Sequence, residues 1–402
     1  MKNVLAIQGG DPVRNSMLQY GKQTIDDTDK DAILSVLNEN TFLTTGPKVS
    51  EFEEKCKEYC GAKYAIAVNS GTSALHCAVA SLDLLNSDEV IVSGISFVAS
   101  ANCVVYCGAT PIFCDVEEDT MNINPNNIEK LITKNTKAII IVDFAGQLCD
   151  YEKIQEIANK YKLTLIQDAA HSWGISYKEK YVGNICDITT LSFHPVKNMT
   201  TCEGGMALTN NCELYKKMKS FRQHGINIEY NERNRKNILS AEMTTLGYNY
   251  RIPDLLCALG INQLLKLKKW INIRNNIANK YINEINEFNK NEKITLIECL
   301  SQKFPCAYHI FVIKLKLCNF KCDRYTIFKA LKSENIGVNI HYLPINLHPY
   351  YKEKFNTFNG QLPIAEKIYD SIITLPIFPT MTNNDIDDVI TAVKKVCLYY
   401  KK

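Results

Sequence analysis

Residues 167–206 read QDAAHSWGISYKEKYVGNICDITTLSFHPVKNMTTCEGGM, and their pattern indicates the class of fold. Asp168 ends one apolar run, and a second apolar run ends near Ser192, just before a turn that holds Lys197. If the two runs are parallel neighbouring strands, their carboxyl ends open into one cleft. The stretch therefore predicts an α/β domain that binds its ligand at the ends of its strands.

The same alternation of apolar runs and helical patterns extends on the N-terminal side of this stretch. The predicted strands are YAIAVN at 64–69, EVIVS at 89–93, TPIFCDV at 110–116, AIIIVD at 138–143, TLIQD at 164–168 and ITTLSF at 188–193. Helical patterns lie between them, at 72–85, 98–107, 126–132 and 151–161. Nearly continuous apolar strands separated by helices are typical of a mostly parallel sheet that is covered on both faces.

The C-terminal part of the chain has a different pattern and predicts a smaller α+β domain. A long helix at about 264–287 is followed by a strand at 307–317, a helix at 324–334, a strand at 338–342 and a helix at 384–399. We expect an N-terminal arm at 1–20, a large α/β domain at 21–265 and the small domain at 266–402.

The composition excludes several classes of protein. The 402 residues include 46 Lys and Arg against 43 Asp and Glu, without a dominant basic block, which argues against nucleic-acid binding. No run approaches the ~20 apolar residues that cross a bilayer, and the N-terminus lacks a secretory signal. We therefore expect a cytosolic protein that does not bind membranes, and whose sixteen scattered cysteines are reduced thiols. Cys103 and Cys107 lack a second ligand pair nearby, so we expect no metal site.

Lys197 and Asp168 are the candidate catalytic residues. Burial in a cleft lowers the pKa of an amine, and a neutral amine is the nucleophile that forms a Schiff base with an aldehyde. Asp168 can supply the carboxylate that keeps a pyridine nitrogen protonated, which makes a cofactor ring an electron sink. The alternative interpretations are a solvated surface lysine and an aspartate that caps a helix.

Two further motifs suggest a site for a flat, phosphorylated ligand. NSGTSAL at 69–75 joins a strand to a helix, and the free N–H groups and dipole of a helix start attract a phosphate. Phe97 follows another strand end, where its ring can stack on a cofactor. Alone, the first motif is equally typical of an ordinary helix cap, and a lone aromatic residue is more often part of the core.

Together these pieces resemble the sugar-nucleotide aminotransferases of the DegT/StrS type, within the fold-type-I pyridoxal-phosphate enzymes. The most specific matches are NSGTSAL, QDAAHSWG, SFHPVKNMTTCEGG and GYNYRIPDLLCALG. The resemblance covers nearly the whole chain, from FLTTGPKVSEFEEK at Phe42 to LPI at Leu375.

The resemblance implies a role for each matching residue. Lys197 forms an internal aldimine with pyridoxal 5'-phosphate, Asp168 pairs with the pyridine nitrogen, and His171 lies against the ring or its phenolic oxygen. Many relatives have Gln at the position of His171. The other implied contacts are the phosphate contacts of Gly71, Thr72 and Ser192, stacking by Phe97, and a contact of Asn249, with Arg251 close by, to the phosphate of the neighbouring subunit's cofactor. The resemblance thus implies a homodimer with shared active sites.

The resemblance also implies the reaction and the substrate class. The amino donor of most relatives is L-glutamate, and two half-reactions at one site give ping-pong kinetics. SFHPVK and HYLPI at 341–345 look most like C4 aminotransferases of the pseudaminic-acid pathway type, which act on UDP-linked 4-keto-6-deoxy-N-acetyl sugars. Relatives with other substrates, including dTDP-linked sugars, share nearly the same framework. His341 and Tyr342 are candidates for the sugar pocket, or alternatively a core pair at a strand end.

Three other functions fit the sequence less well. A sugar dehydratase on the same fold has histidine at the lysine position, and His194 lies three residues short of it. A non-catalytic cofactor-binding dimer has no support, because Lys197 and Asp168 are both present. An amino-acid transaminase needs an arginine clamp for the α-carboxylate of every substrate, and either Arg222 or Arg251 is a candidate for it.

Overall fold

The structure is a computed structural model that describes residues 4–39, 41–226, 228, 240–301 and 303–402. Its first strands are β1 (Tyr64–Val68), β2 (Glu89–Ser93), β3 (Thr110–Cys114), β4 (Thr136–Val142), β5 (Thr164–Asp168), β6 (Ser176–Tyr177), β7 (Lys180–Tyr181), β8 (Ile188–Ser192) and β9 (Gly205–Thr209). β6 and β7 form a hairpin, and the others form a seven-stranded sheet of order β1-β9-β8-β5-β4-β2-β3. Only β9 runs antiparallel to its neighbours. The predicted mostly parallel α/β sheet is therefore confirmed.

Helices cover both faces of this sheet. They are α1 (Asp27–Glu39), α2 (Pro47–Cys60), α3 (Gly71–Ala80), α4 (Ala99–Tyr106), α5 (Pro125–Leu131), α6 (Tyr151–Tyr161) and α7 (Cys212–Arg222). Along β4, Ile139 and Ile141 belong to one buried cluster, whereas Ala138 and Ile140 belong to another, because successive side chains of a strand point to opposite faces. Burial on both faces explains why the strand sequences are continuously apolar.

A three-stranded antiparallel sheet forms the C-terminal α+β part. Its strands are β10 (Ile297–Cys299), β11 (Phe311–Leu315) and β12 (Ile372–Leu375), and its helices are α8 (Asp254–Glu292), α9 (Arg324–Ser333), α10 (Pro349–Phe355), α11 (Pro363–Tyr369) and α12 (Asn383–Tyr400). α8 contributes Trp270 to a core cluster of the large sheet and Phe288 to the cluster of the small sheet. Since one helix joins both cores, the division at 265/266 falls within α8 and stays a prediction.

Two predicted elements differ from the structure. Residues 338–342 do not form a strand: only Asn339 pairs with Thr374, through two backbone hydrogen bonds of 3.2 and 2.8 Å, and Pro344, which has no N–H group, follows closely. The long helix starts at Asp254 instead of 264, directly after Pro253. The periodicity of apolar residues does not predict its first turns, because these turns are apolar on several faces and include a glycine.

The N-terminal residues pack against the small sheet and its helices. Leu5 is fully buried there, and the buried carboxylate of Glu334 accepts hydrogen bonds from the N–H groups of Ala6 and Val13, at 2.9 and 3.0 Å. The chain then continues to Tyr20, which lines a cavity at the carboxyl ends of β5 and β8. Among the helices of the described ranges, none has the length and apolar character needed to cross a membrane.

Candidate active site

The carboxyl ends of β5 and β8 open into a cavity of about 450 Å³. Nine residues that the sequence singles out line it: Gly71, Thr72, Phe97, Asp168, His171, Ser192, Lys197, His341 and Tyr342. β5 and β8 are parallel neighbours, and Asp168 pairs in register with Thr190. The cavity therefore lies where parallel sheets bind their ligands.

Lys197 lies in a turn after β8, and backbone hydrogen bonds close this turn. The Phe193 N–H group donates to the carbonyl of Gly204 at 2.8 Å. The side-chain amide of Asn198 donates to the carbonyl of His171 at 3.1 Å, which ties the turn to the loop after β5. The lysine is thus fixed relative to the neighbouring strand end.

The surroundings of Lys197 favour its neutral form. Burial lowers the pKa of Lys197 from 10.5 to about 8, although the negative charge of Asp168 opposes the shift. A much larger fraction of the amine is then neutral at physiological pH than in water. A neutral amine can attack an aldehyde and can accept a proton.

Asp168 is a buried carboxylate with a fixed orientation. The hydroxyl of Ser100 donates to its Oδ2 at 2.6 Å, and the N–H group of Ala170 donates to its Oδ1 at 3.1 Å. Burial raises the pKa of Asp168, while these hydrogen bonds and the charge of Lys197 lower it in part. Such a carboxylate can hold a proton on the nitrogen of a bound ring.

The N-terminus of α3 meets the same cavity. Ser70 caps this helix, because its hydroxyl accepts a hydrogen bond of 3.1 Å from the N–H group of Ser73. A Cβ on Gly71 would lie 2.8 Å from the Cβ of Ser192, so glycine lets the end of β8 approach the helix start. The first amides of a helix have no acceptor within it and attract an anion, which the cavity-lining hydroxyls of Thr72 and Ser192 can also bind.

Aromatic side chains form another wall. Phe97 is 56% exposed, and its ring centroid lies 6.2 Å from that of Tyr342. The Tyr342 hydroxyl lies 3.4 Å from Nε2 of the buried His171, whose Nδ1 has no partner among the described residues. Burial, followed by the charge of Lys197, lowers the pKa of His171 well below its usual value. The imidazole is therefore neutral at pH 7.

Asn249 and Arg251 lie outside the cavity lining. Asn249 is exposed and Arg251 is partly buried. Arg222, the other candidate for a carboxylate clamp, is buried and donates to the carboxylate of Glu53 at 2.7 Å. In the described part of the chain, Lys197 is thus the sole lysine or arginine that lines the cavity.

Several lining residues are absent from the predicted site, and Tyr20 and His309 are two of them. Tyr20 comes from the N-terminal arm, and its ring centroid lies 5.6 Å from that of His341. His309 precedes β11, and its ring centroid lies 4.4 Å from that of His171. The sequences around Tyr20 and His309 are ordinary loop and strand sequences, so no local pattern predicts that these two residues line the cavity.

The lowered pKa of Lys197 predicts a pH-dependent effect on stability. The unfolded chain, with a lysine pKa of 10.5, holds this proton more tightly than the folded cofactor-free protein, with a pKa of about 8. The protonated Lys197 therefore lowers the free energy of unfolding below pH 8. This loss of stability becomes smaller as the pH rises from 8 to 10.5. Lys197→Met should raise the free energy of unfolding near pH 7 by up to about 3 kcal/mol, measured by urea denaturation.

The control for this experiment is Lys63→Met, at an exposed position. It should change the free energy of unfolding little at any pH. The gain from Lys197→Met should disappear near pH 10.5, and equal stability of this variant and the wild type at pH 7 would contradict the burial of the amine.

The fold and the site define a class of enzyme. A lysine with a lowered pKa, an oriented buried carboxylate, a helix N-terminus for a phosphate and an unpartnered imidazole nitrogen all face one cavity. These groups match the amine-reactive aldehyde, ring nitrogen, phosphate and phenolic oxygen of pyridoxal phosphate. They are the groups of a pyridoxal-phosphate enzyme of the α/β type.

The chain belongs to the DegT/DnrJ/EryC1/StrS aminotransferase family, whose model matches residues 23–394. The chain is 37% identical to the UDP-4-amino-4,6-dideoxy-N-acetyl-beta-L-altrosamine transaminase of Campylobacter jejuni subsp. jejuni serotype O:23/36 (strain 81-176), over 92% of this chain and 94% of that protein.

Solved structures agree with this assignment. Helicobacter pylori PseC, an aminotransferase involved in the biosynthesis of pseudoaminic acid, matches with a TM-score of 0.87 at 32% identity, over 96% of this chain and 100% of that one. NtdA from Bacillus subtilis, with bound cofactor PMP, matches with a TM-score of 0.82 at 30% identity, over 93% of this chain and 83% of that one. The protein is therefore an aminotransferase, and its cofactor is pyridoxal 5'-phosphate.

Proposed function

We propose that the protein transfers the amino group of L-glutamate to the ketone of a nucleotide-linked 4-keto-6-deoxy sugar, with UDP as the first nucleotide to test and dTDP as the second. The observation that carries this proposal is the cavity lining: Lys197 and Asp168 face one cavity, and no arginine of the described residues lines it. An enzyme restricted to amino acids needs a clamp for an α-carboxylate in both half-reactions. A keto sugar needs none. The similarity to a transaminase of a UDP-linked amino sugar supports the same substrate class.

The proposed roles follow from the geometry. Lys197 would hold the cofactor through its amine, and the same amine would serve as general base and acid at the substrate carbon. Asp168 holds the proton on the pyridine nitrogen, and the neutral His171 lies against the ring or its phenolic oxygen. When bound, pyridoxal phosphate supplies an aldehyde and an electron-withdrawing ring. Phe97 stacks on that ring.

The remaining lining residues bind the phosphate and the sugar in this proposal. The start of α3 binds the phosphate through Gly71 and Thr72, together with Ser192 at the end of β8. His341 and Tyr342 line the sugar side of the cavity. With an uncharged ketone and a charged donor reacting in turn at one site, ping-pong kinetics are expected.

The proposed assembly is a homodimer in which each subunit completes the other's site. Asn249, with Arg251 close by, is proposed to reach the phosphate of the partner's cofactor. The support is exposure: the side chain of Asn249 lies outside the cavity of its own subunit. Met243 and Leu246, which precede it in the sequence, are 67% and 74% exposed, and a patch of exposed apolar side chains is typical of an interface.

A subunit-mixing experiment tests the shared site. Asn249→Ala should weaken cofactor binding by about 10-fold or more, since a hydrogen bond to a charged group is lost, and Lys197→Ala should be inactive. Mixed dimers of the two variants contain one intact site, made of Lys197 from one subunit and Asn249 from the other. Refolding an equal mixture should restore about a quarter of wild-type activity. Activity no greater than the average of the two variants would contradict the shared site.

The reaction is tested with purified enzyme, pyridoxal phosphate, L-glutamate and a UDP-linked 4-keto-6-deoxy-N-acetyl sugar. The expected products are the amino sugar and 2-oxoglutarate in equal amounts, measured by mass spectrometry and a coupled assay. The dTDP-linked sugar and pyruvate serve as comparison acceptors. Amino transfer to pyruvate alone would contradict the sugar proposal, and loss of a hydroxyl without transfer would identify a dehydratase.

The proposed compartment is the cytosol. All sixteen cysteines have free thiols, and most of them are buried. Free thiols on this scale are typical of a reducing compartment, which is also where nucleotide-linked sugars are made.

A further inference from the structure

Arg274 is a buried cation without an acidic partner in the described part of the chain. Its side chain is 2% exposed, and its guanidinium donates to the backbone carbonyls of Tyr308, His309 and Ile377, at 3.3, 3.1 and 2.9 Å. Burial lowers the pKa of Arg274 to about 10, so the charge persists at neutral pH. A buried charge that is not neutralised is unfavourable, and an anion bound nearby would compensate it.

His309, whose carbonyl group accepts a hydrogen bond from Arg274, packs against His171 at the cavity. The ring centroids lie 4.4 Å apart with 35° between the ring planes, and the two residues are 6% and 5% exposed. Nδ1 of each ring has no hydrogen-bond partner among the described residues. Buried polar atoms are almost always hydrogen-bonded. Because Nδ1 of His171 is assigned to the phenolic oxygen of the cofactor, the unpaired Nδ1 of His309 indicates a second polar ligand.

The charges around this histidine pair favour an anion. Two carboxylates line the cavity, Asp168 at the end of β5, which faces Lys197, and Glu203 just before β9. The groups that face the pair itself are Lys197 from the turn after β8, Arg274 from α8, and His341 and Tyr342 from the segment after α9. Burial, and then these positive or titratable groups, lower the pKa of His309 well below its usual value. Both imidazoles are therefore neutral at pH 7 until a negative charge enters.

We propose that His309 binds a carboxylate of the amino donor and takes up a proton as the carboxylate enters, while Nδ1 of His171 stays with the cofactor. The identity of the donor as an amino acid rests on the function proposed above. A carboxylate beside an imidazole favours its charged form, and the unpaired charge of Arg274 adds to the attraction. The proton comes from the solvent, an N–H bond forms at Nδ1, and the resulting ion pair is neutral overall.

The same proton returns to the solvent when the oxo acid leaves. The His309 imidazole is then neutral again and can hydrogen-bond to a hydroxyl of the sugar. A pocket that gains and loses one proton can thus bind a charged donor and an uncharged ketone in turn, without an arginine that the sugar would leave unpaired.

Isothermal titration calorimetry with the cofactor-loaded enzyme tests this inference. Glutarate is the probe, because it carries both carboxylates of glutamate but no amine and so cannot react. Titrations at about pH 7.5 in phosphate and in Tris give the number of protons taken up, since the observed heat depends on the ionisation enthalpy of the buffer. We expect about one proton per glutarate, and weaker binding as the pH rises from 7 to 9.

His309→Phe separates binding from packing, because phenylalanine keeps the stacked ring and removes the nitrogens. Its Kd for glutarate should rise at least about tenfold, as expected for a lost charged hydrogen bond, and proton uptake should disappear. The Kd for UDP-N-acetylglucosamine, which carries no carboxylate, should stay within about twofold of the wild-type value and shows that the site is folded. His348→Gln, outside the cavity lining, is the histidine control and should behave like the wild type.

Unchanged glutarate binding in His309→Phe, or no proton uptake by the wild type, would overturn the inference. Loss of glutarate binding in Arg251→Gln but not in His309→Phe would assign the carboxylate to that arginine and would also overturn it. These titrations require no sugar acceptor. An enzyme that shows the proton uptake but does not aminate keto sugars would therefore contradict the proposed function and support the carboxylate site.

Discussion

Lys197→Ala should abolish turnover, with kcat/KM lower by at least about 10⁴-fold. The variant loses the amine that binds the cofactor covalently, and it also loses the general base and acid, which alone contributes about 10²–10⁴-fold. No other lysine or arginine of the described residues lines the cavity, so no neighbouring amine can substitute. The measurement is the release of 2-oxoglutarate from L-glutamate in single-turnover experiments, followed by assays with the keto sugar.

Two experiments serve as controls for the Lys197→Ala variant. Lys63→Ala changes an exposed lysine outside the cavity and should leave kcat/KM unchanged. Added methylamine should restore part of the activity of Lys197→Ala, because a small amine can occupy the space of the missing side chain and accept the proton. A fall of less than about tenfold in Lys197→Ala would show that another group performs the proton transfer.

Asp168→Asn should lower kcat by about 10²–10³-fold, the range found when one preorganised electrostatic contact is removed from an active site. Asparagine keeps the shape of the side chain and its contact with Ser100, but it carries no negative charge and cannot hold a proton on the pyridine nitrogen. Cofactor affinity should also fall. Pre-steady-state kinetics and a titration with pyridoxal phosphate separate the two effects.

The charge of Asp168 also affects Lys197. Because the carboxylate opposes the effect of burial on the lysine, Asp168→Asn should lower the pKa of Lys197 further in the cofactor-free protein. Asp31→Asn, at an exposed position on α1, is the control that should change neither rate nor affinity. A kcat for Asp168→Asn within threefold of the wild type would remove Asp168 from the mechanism.

The large sheet and the centre of the site are predictable from the sequence for one physical reason. Parallel strands that are buried on both faces have continuous apolar sequences, and their carboxyl ends meet at one edge. Asp168 and Lys197 follow two such strands, so their proximity can be inferred without knowledge of the loops. The same argument places Gly71, at the start of α3, and Phe97 at this edge.

Tyr20 and His309 are not predictable in this way. Each reaches the cavity from a segment that is distant in sequence from the parallel strands and that packs there through tertiary contacts, the arm through Glu334 and His309 through Arg274. The apolar and polar alternation of residues 338–342 predicts a strand that the structure lacks. His341 and Tyr342 line the cavity instead, so tertiary contacts overrode the local pattern.

The close approach of Gly71 to Ser192 has a consequence for how enzymes of this architecture diversify. A Cβ on Gly205 would similarly lie 2.3 Å from the carbonyl oxygen of Ser70, so the start of α3, the end of β8 and the start of β9 interlock without room for larger side chains. Tyr20, His309 and Tyr342 enter from separate segments. A mutant library for new acceptor sugars should therefore spare the interlocked half and His309, which the amino donor needs, and randomise Tyr20 and Tyr342, which can vary without displacing the lysine.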